Sequence, residues 1–208
     1  YKGDNLMGYT AIIDYNVGNL LSVENALKYL GFESRITRDF KELELADDLI
    51  LPGVGAFPDA MKSLCDCGLD KVIKELAMKK PVLGVCLGMQ LLFDSSEELR
   101  FTEGLGLIGG TVKKIDTQLK LPQIGWNSLK IIHKTPLLKD IDEGEYVYFV
   151  HSYAALVKNR EDLRAVTEYP SEITAVVARG NVFGCQFHPE KSGDVGLRIL
   201  KNFKELEK

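Results

Sequence analysis

The strongest constraint on the fold is an alternation. Short, continuously apolar runs are separated by segments whose apolar residues recur at helical spacing. The runs are Thr10–Asp14, Asp48–Leu51 and Val82–Val85, with a further strand read at 34–37. Between the first two, Leu20, Val23, Leu27 and Leu30 share one helical face and Gly31 supplies a stop. Helical pattern returns over 57–66 and 69–79. A strand that is apolar at successive positions has to be covered on both faces, the condition of a parallel sheet with helices on either side. The first half is therefore predicted to form a doubly wound, mostly parallel α/β sheet, whose functional groups gather at the carboxyl ends of its strands.

The second half is richer in strands. Candidates are Leu107–Ile115, Leu129–Ile132, Tyr146–Val150, Leu163–Glu168, Thr174–Ala178 and Val182–Phe187, the last two joined by a hairpin turn through Gly180-Asn181. These predict additional antiparallel strands. A final helix over about 193–206 places Val195, Ile199, Leu200, Phe203 and Leu206 on one stripe. With no internal repeat or linker in a chain of 208 residues, one domain is expected over 8–208. Residues 1–7 read as a polar leader, with Met7 as the expected natural start.

Charge and cysteine usage exclude several classes. Lys and Arg number 26 against 30 Asp and Glu, a net charge of −4 with no basic stripe, so nucleic acid is not an expected partner. No apolar run approaches the roughly 20 residues that span a bilayer, and the first residues lack a signal peptide's apolar stretch. A cytoplasmic protein without membrane contact is expected. The four cysteines are Cys65, Cys67, Cys86 and Cys185. Cys65-Asp-Cys67 has no second pair to complete a zinc site and sits among helix-end residues, so no metal is expected.

The pentapeptide Gly84-Val-Cys86-Leu-Gly88 carries the most chemistry. It has the form of a nucleophile elbow, a sharp strand-to-helix turn, with cysteine as the nucleophile. On such a turn the residues two before and two after the nucleophile come close together, and glycine removes the clash. The apolar strand Val82–Val85 precedes it, and the helix-like Met89–Phe93 follows. A helix start favours thiolate, and the Leu87 N–H is placed where an oxyanion would form. A buried structural cysteine is the competing reading.

A thiolate needs a proton carrier. Of the three histidines, His188 lies at a strand end in Gly184-Cys-Gln-Phe-His-Pro-Glu190; Pro189 extends the backbone, so that Glu190, two residues on, faces the imidazole and orients it. His-x-Glu alone is also met as an ordinary surface pairing. His133 reads as surface loop and His151 as a packing or hydrogen-bonding residue. Pro52-Gly-Val-Gly55 follows the strand at 49–51 and edges the same crevice. Backbone N–H groups at Gly53 and Val54 are candidates to complete an oxyanion hole, and an ordinary turn is the alternative.

Gly84-Val-Cys-Leu-Gly-Met-Gln90 together with His188-Pro-Glu190 resembles the class I glutamine amidotransferases over essentially all of residues 8–205. The resemblance implies their flavodoxin-like doubly wound fold, a Cys86-His188-Glu190 triad and no cofactor. It also implies glutamine as substrate, with Gly55, Gln90, Ser152 and Tyr153 near its amino-acid end. Asp14–Asn19, Gly125-Trp-Asn127, Tyr148–Tyr153 and Met89 are similar to a branch of free-standing glutaminase subunits. Those subunits pass ammonia to a separate (β/α)₈ cyclase subunit in histidine biosynthesis. The resemblance places Trp126, Tyr148 and Lys191 near that interface, although the two aromatics read equally well as core. Ser152 stands where relatives often carry threonine. The rivals are the glutaminase subunit of anthranilate or pyridoxal-phosphate synthase, and a redox-sensing cysteine protein on a flavodoxin-like sheet.

Overall fold

The computed structural model describes residues 8–206, so the expected leader lies outside the described residues. In chain order the first half runs β1 (Thr10–Ile13), α1 (Leu20–Tyr29), β2 (Ser34–Thr37), α2 (Phe40–Leu45), β3 (Asp48–Gly53), α3 (Phe57–Asp66), α4 (Leu69–Ala77), β4 (Val82–Cys86) and α5 (Leu87–Leu91). The second half adds β5 (Phe93–Ser96), β6 (Thr102–Glu103), β7 (Ile108–Lys114), β8 (Gln123–Ser128), β9 (Lys130–Ile131), β10 (Tyr146–His151) and β11 (Tyr153–Val157). It closes with β12 (Leu163–Glu168), β13 (Glu172–Arg179), β14 (Val182–Cys185) and α6 (Gly193–Lys204).

Eight strands form the central sheet in the order β2-β1-β3-β4-β14-β13-β12-β9. The five from β2 to β14 pair in parallel; the remaining three add antiparallel. This is the doubly wound α/β arrangement expected from the sequence, with its antiparallel extension. Apolar side chains alternate between two cores. Ile13, Leu49, Leu51 and Val82 pack with Leu43, Phe57, Leu64 and Ile73 from α2 to α4 on one face. Ile12, Ile50, Leu83 and Val85 pack with Val23, Leu27, Ile199, Leu200 and Phe203 from α1 and α6 on the other. Both faces of β1, β3, β4 and β14 are thus covered, which is why these strands are buried throughout, whereas β2 at the sheet edge keeps Arg35 exposed.

Several elements differ from the sequence reading. Helix α2 was not expected, although Asp39 caps it by accepting from the N–H groups of Lys41 and Glu42, a start signal present in Asp39-Phe-Lys-Glu42. The helix after Cys86 begins at Leu87 and lasts five residues; Phe93 opens strand β5 instead. It stops because the chain turns into a second, four-stranded sheet (β11-β7-β5-β6), where Leu107 and Ile108 donate to the Leu92 carbonyl. Strands β8 and β11 were also unread. Strand β8 pairs with β10 as an antiparallel ribbon whose outer face is open, so its sequence lacks the apolar continuity that marks a buried strand.

Candidate active site

Strand β4 delivers Cys86 to the carboxyl edge of the sheet. Its backbone takes φ 55° and ψ −114°, a conformation that an L-residue adopts at a cost of about 1–3 kcal/mol and that concentrates at functional turns. The flanking glycines do what the sequence required of them. A Cβ on Gly84 would lie 2.6 Å from the Gly88 carbonyl oxygen, and one on Gly88 would lie 1.7 Å from the Leu51 carbonyl oxygen of β3. The turn therefore closes only with bare backbone at both positions, wedged against the neighbouring strand. Cys86 is buried, with its sulfur 4.0 Å from the Val150 carbonyl oxygen.

Strand β14 is the parallel neighbour of β4, with Cys185 opposite Val85, so the chain leaving β14 brings His188 to the same edge. His188 is extended, but Pro189–Lys191 form a 3₁₀ turn rather than continuing as strand. Glu190 therefore reaches the imidazole by curling back, not by the two-residue period of an extended chain. The pairing is the expected one: His188 Nδ1 lies 2.8 Å from Glu190 Oε1, and both side chains are buried. The backbone of His188 is held from β10. Its N–H donates to the Tyr148 carbonyl (3.0 Å), and its carbonyl accepts from the Ser192 hydroxyl (2.6 Å), which accepts in turn from the Tyr148 N–H (3.0 Å). Burial alone would disfavour charge on the ring. Hydrogen bonding to the Cys86 sulfur and to Glu190 outweighs it and pushes His188 up to about 9.

A cavity of about 330 Å³ opens over the sulfur, lined by Cys86, His188 and Leu87 together with Val54, Gly55, Gln90, Ser152 and Tyr153. The residues singled out in the sequence for catalysis, oxyanion contact and substrate binding converge here, except that Gly53 and Glu190 stand behind the lining. Gly53 is opposite Cys86 in the β3–β4 register, and a Cβ there would meet the Tyr15 hydroxyl at 2.7 Å. That buried hydroxyl donates to the Pro52 carbonyl (2.7 Å), fixing the base of the loop, and burial pushes it up. A larger hollow of about 880 Å³, bordered by Pro136, Gly180 and Leu206, is lined by no histidine or cysteine among the described residues.

Two residues of the site were missed. Glu98 lines the cavity and accepts from the Phe57 N–H (2.9 Å); burial raises its carboxyl, opposed by that bond. Nothing around it in Ser95-Ser-Glu-Glu-Leu99 distinguishes it from a solvated acid. Gln186 lies inside the quoted Gly184–Glu190 motif without a role, and is fully buried. His151 also lines the cavity. Its Nδ1 is 2.8 Å from the Tyr153 carbonyl, and burial first of all lowers it to about 4, so the ring is neutral near pH 7.

The interface candidates are not core residues. Trp126 is 52% exposed on β8 and pairs with Tyr148 of β10 as an edge-to-face couple, ring centroids 6.1 Å apart. Exposed Ile124 and Tyr146 share the ribbon with them, and Lys191 is exposed in the turn after His188.

Fold and cavity together define a doubly wound α/β domain with a cysteine on a nucleophile elbow and a histidine–carboxylate pair on the adjoining strand end. The family model described as glutamine amidotransferase class-I matches residues 11–206. Among curated proteins, the chain is 54% identical over 198 residues to imidazole glycerol phosphate synthase subunit HisH of Caldanaerobacter subterraneus subsp. tengcongensis, covering 95% of this chain and 98% of that protein. It is 52% identical to the HisH subunit of Listeria monocytogenes, covering 94% of each. The solved structure of PurLQS from Thermotoga maritima shares the fold, with a TM-score of 0.77 at 19% identity, covering 98% of this chain and 100% of that one. The chain belongs to the class I glutamine amidotransferases and, within them, to the family of the HisH glutaminase subunits of imidazole glycerol phosphate synthase.

Proposed function

We propose that Cys86, His188 and Glu190 are the catalytic triad of this glutaminase, and that its ammonia goes to a (β/α)₈ cyclase subunit in the cytoplasm. The observation that carries the reading is the meeting of an elbow cysteine and a carboxylate-held imidazole, from adjacent strands, over one cavity. The Cys86 thiolate attacks the side-chain amide carbon of glutamine, and the carbonyl oxygen takes up the negative charge. The Leu87 N–H, with Gly53 and Val54 across the cleft, is the donor set assigned to that oxygen; one such donor contributes about 2.7–4 kcal/mol to the transition state. As the C–N bond breaks, the His188 imidazolium gives its proton to the departing nitrogen and ammonia leaves. The neutral ring then takes a proton from water, which attacks the thioester and releases glutamate and the thiolate. Glu190 holds the ring in the tautomer that leaves Nε2 for the sulfur.

Both side-chain N–H bonds of Gln90 are committed, to the Tyr153 carbonyl and to Gln186 Oε1, each at 2.9 Å. Gln90 therefore offers a ligand only its acceptor oxygen. With the Glu98 carboxylate and Gly55 lining the same cavity, this suits the α-ammonium group of glutamine, and Ser152 and Tyr153 complete the amino-acid end. The Trp126–Tyr148 face, with Lys191, is the assigned docking surface for the cyclase, on a one-domain subunit. The test is glutamate release from glutamine by wild type and Cys86→Ala, each with and without the cyclase and its nucleotide substrate. Release that depends on Cys86 and rises with the cyclase supports the reading; release retained by Cys86→Ala overturns it.

A further inference from the structure

Gln186 is a fully buried amide wedged between the two halves of the site, and its hydrogen bonds are unusually placed. Its backbone N–H donates to the Ala175 carbonyl of β13 (2.9 Å), which fixes the residue at the end of the sheet ladder. Its side-chain Oε1 accepts from Gln90 Nε2 at 2.9 Å, and its Nε2 points at the Cys86 sulfur, 3.9 Å away. The opposite amide orientation would set an oxygen against the sulfur and two N–H groups against each other, so the network itself fixes which end is which. A buried amide is costly unless its groups are paired. Here one of its donors has only the sulfur to serve, and an N–H aimed at a sulfur favours the thiolate over the thiol.

We propose that Gln186 is a positioning residue for the reaction. Its amide steadies the Cys86 thiolate, and the same amide fixes Gln90 with its acceptor oxygen toward the substrate. A continuous chain, Tyr153 carbonyl to Gln90 to Gln186 to Cys86, then ties the amino-acid end of the cavity to the nucleophile. Occupation of one end and reactivity at the other depend on one side chain. The inference rests on the reading of Cys86 as nucleophile. The ionisable groups that feel the sulfur's charge are Tyr15 from the β1–α1 loop, Cys185 on β14 and His188; Glu190 and His151 lie beyond, around the imidazole. None of them is altered by substituting Gln186.

The experiment is the pH dependence of Cys86 alkylation by iodoacetamide, read peptide by peptide by mass spectrometry to separate it from Cys65 and Cys67. It is run on wild type, Gln186→Met and Gln186→Glu alongside glutamine hydrolysis. Gln186→Met keeps the length and removes both the donor and the acceptor. The alkylation midpoint is expected to rise by about one pH unit, kcat to fall about tenfold, and KM to rise because Gln90 is released. Gln186→Glu keeps an acceptor for Gln90 but sets a carboxylate against the sulfur, whose charge raises the midpoint by itself, so this variant is read by KM, which stays near the wild-type value; Gln186→Leu reads the midpoint if Gln186→Met does not fold. A midpoint within about 0.2 pH unit of wild type in a folded variant overturns the proposal, whatever happens to thermal stability. Failure of the underlying reading is distinct: wild-type Cys86 would then show no alkylation linked to loss of glutaminase activity.

Discussion

The two walls of the cavity are built by different means. On the sulfur side, Cys86 is held by what surrounds it in the chain: a strand before, a helix after, and two glycines that let the turn close against β3. On the imidazole side, His188 is held by hydrogen bonds: the distant Tyr148 grips its backbone, the nearby Ser192 bridges the two, and Glu190, two residues on, curls under the ring. The sulfur is placed by steric necessity and the ring by hydrogen bonds. The first arrangement fails as a fold when disturbed; the second fails as chemistry while the fold survives.

A methyl group placed on the sulfur side is the most severe way to break this contrast. Gly88→Ala drives a Cβ into the Leu51 carbonyl, backbone against backbone with no flexible end to yield. A loss of more than about 3 kcal/mol is expected, seen as insoluble or unfolded protein in circular dichroism. A soluble Gly88→Ala protein of unchanged melting temperature would mean that the elbow is less tightly built than described.

On the imidazole side, Glu190→Gln keeps the shape and removes the charge that orients the ring. Hydrolysis is expected to fall about 10²-fold with the fold retained. The pH behaviour sharpens the point. The folded-state value of His188, about 9, lies above its ordinary 6.5, so the proton's stabilising effect is complete below 6.5 and is lost as pH rises through 9. The alkaline limb of kcat/KM should follow the same ionisation, near pH 9 in wild type, and move down in Glu190→Gln. An alkaline limb that ignores the substitution would separate Glu190 from the ring's function.

The smallest effect belongs to the exposed ribbon. Trp126→Ala should change stability by no more than about 0.5 kcal/mol and leave glutamine hydrolysis by the isolated subunit unaltered. Affinity for the cyclase should fall by about tenfold or more, measured by titration calorimetry. Because Tyr148, the ring partner of Trp126, grips His188 through its backbone, an effect of Trp126→Ala on hydrolysis without the cyclase would show that the ribbon also sets the imidazole.

The same contrast explains what the sequence disclosed. Strands β1, β3 and β4 were legible because burial on both faces writes a nearly unbroken apolar run, and the elbow because its geometry demands glycine at fixed offsets from Cys86. Strand β8 was not, since one face is open and Ile124 and Trp126 stand exposed among polar neighbours. His188 and Glu190 were legible as a pair, but the turn that joins them was taken for strand, because Pro189 permits either. Glu98 and Gln186 acquire their positions only when β5 is laid beside β7 and β14 beside β4. Neither pairing is written near those residues, so an ordinary acid and an ordinary amide carried no local sign. Trp126 was ambiguous for a related reason: an aromatic on a short strand looks the same whether its face is covered by its own chain or left open.

The most direct measurement is covalent trapping by a glutamine analogue carrying an electrophilic diazoketone in place of the amide, with the modified peptide identified by mass spectrometry. The expected result is stoichiometric modification of Cys86 with parallel loss of glutaminase activity, and protection by glutamine. Modification of Cys65, Cys67 or Cys185 in its place, or inactivation with Cys86 left free, would contradict the assignment of the elbow sulfur as the group that meets the substrate.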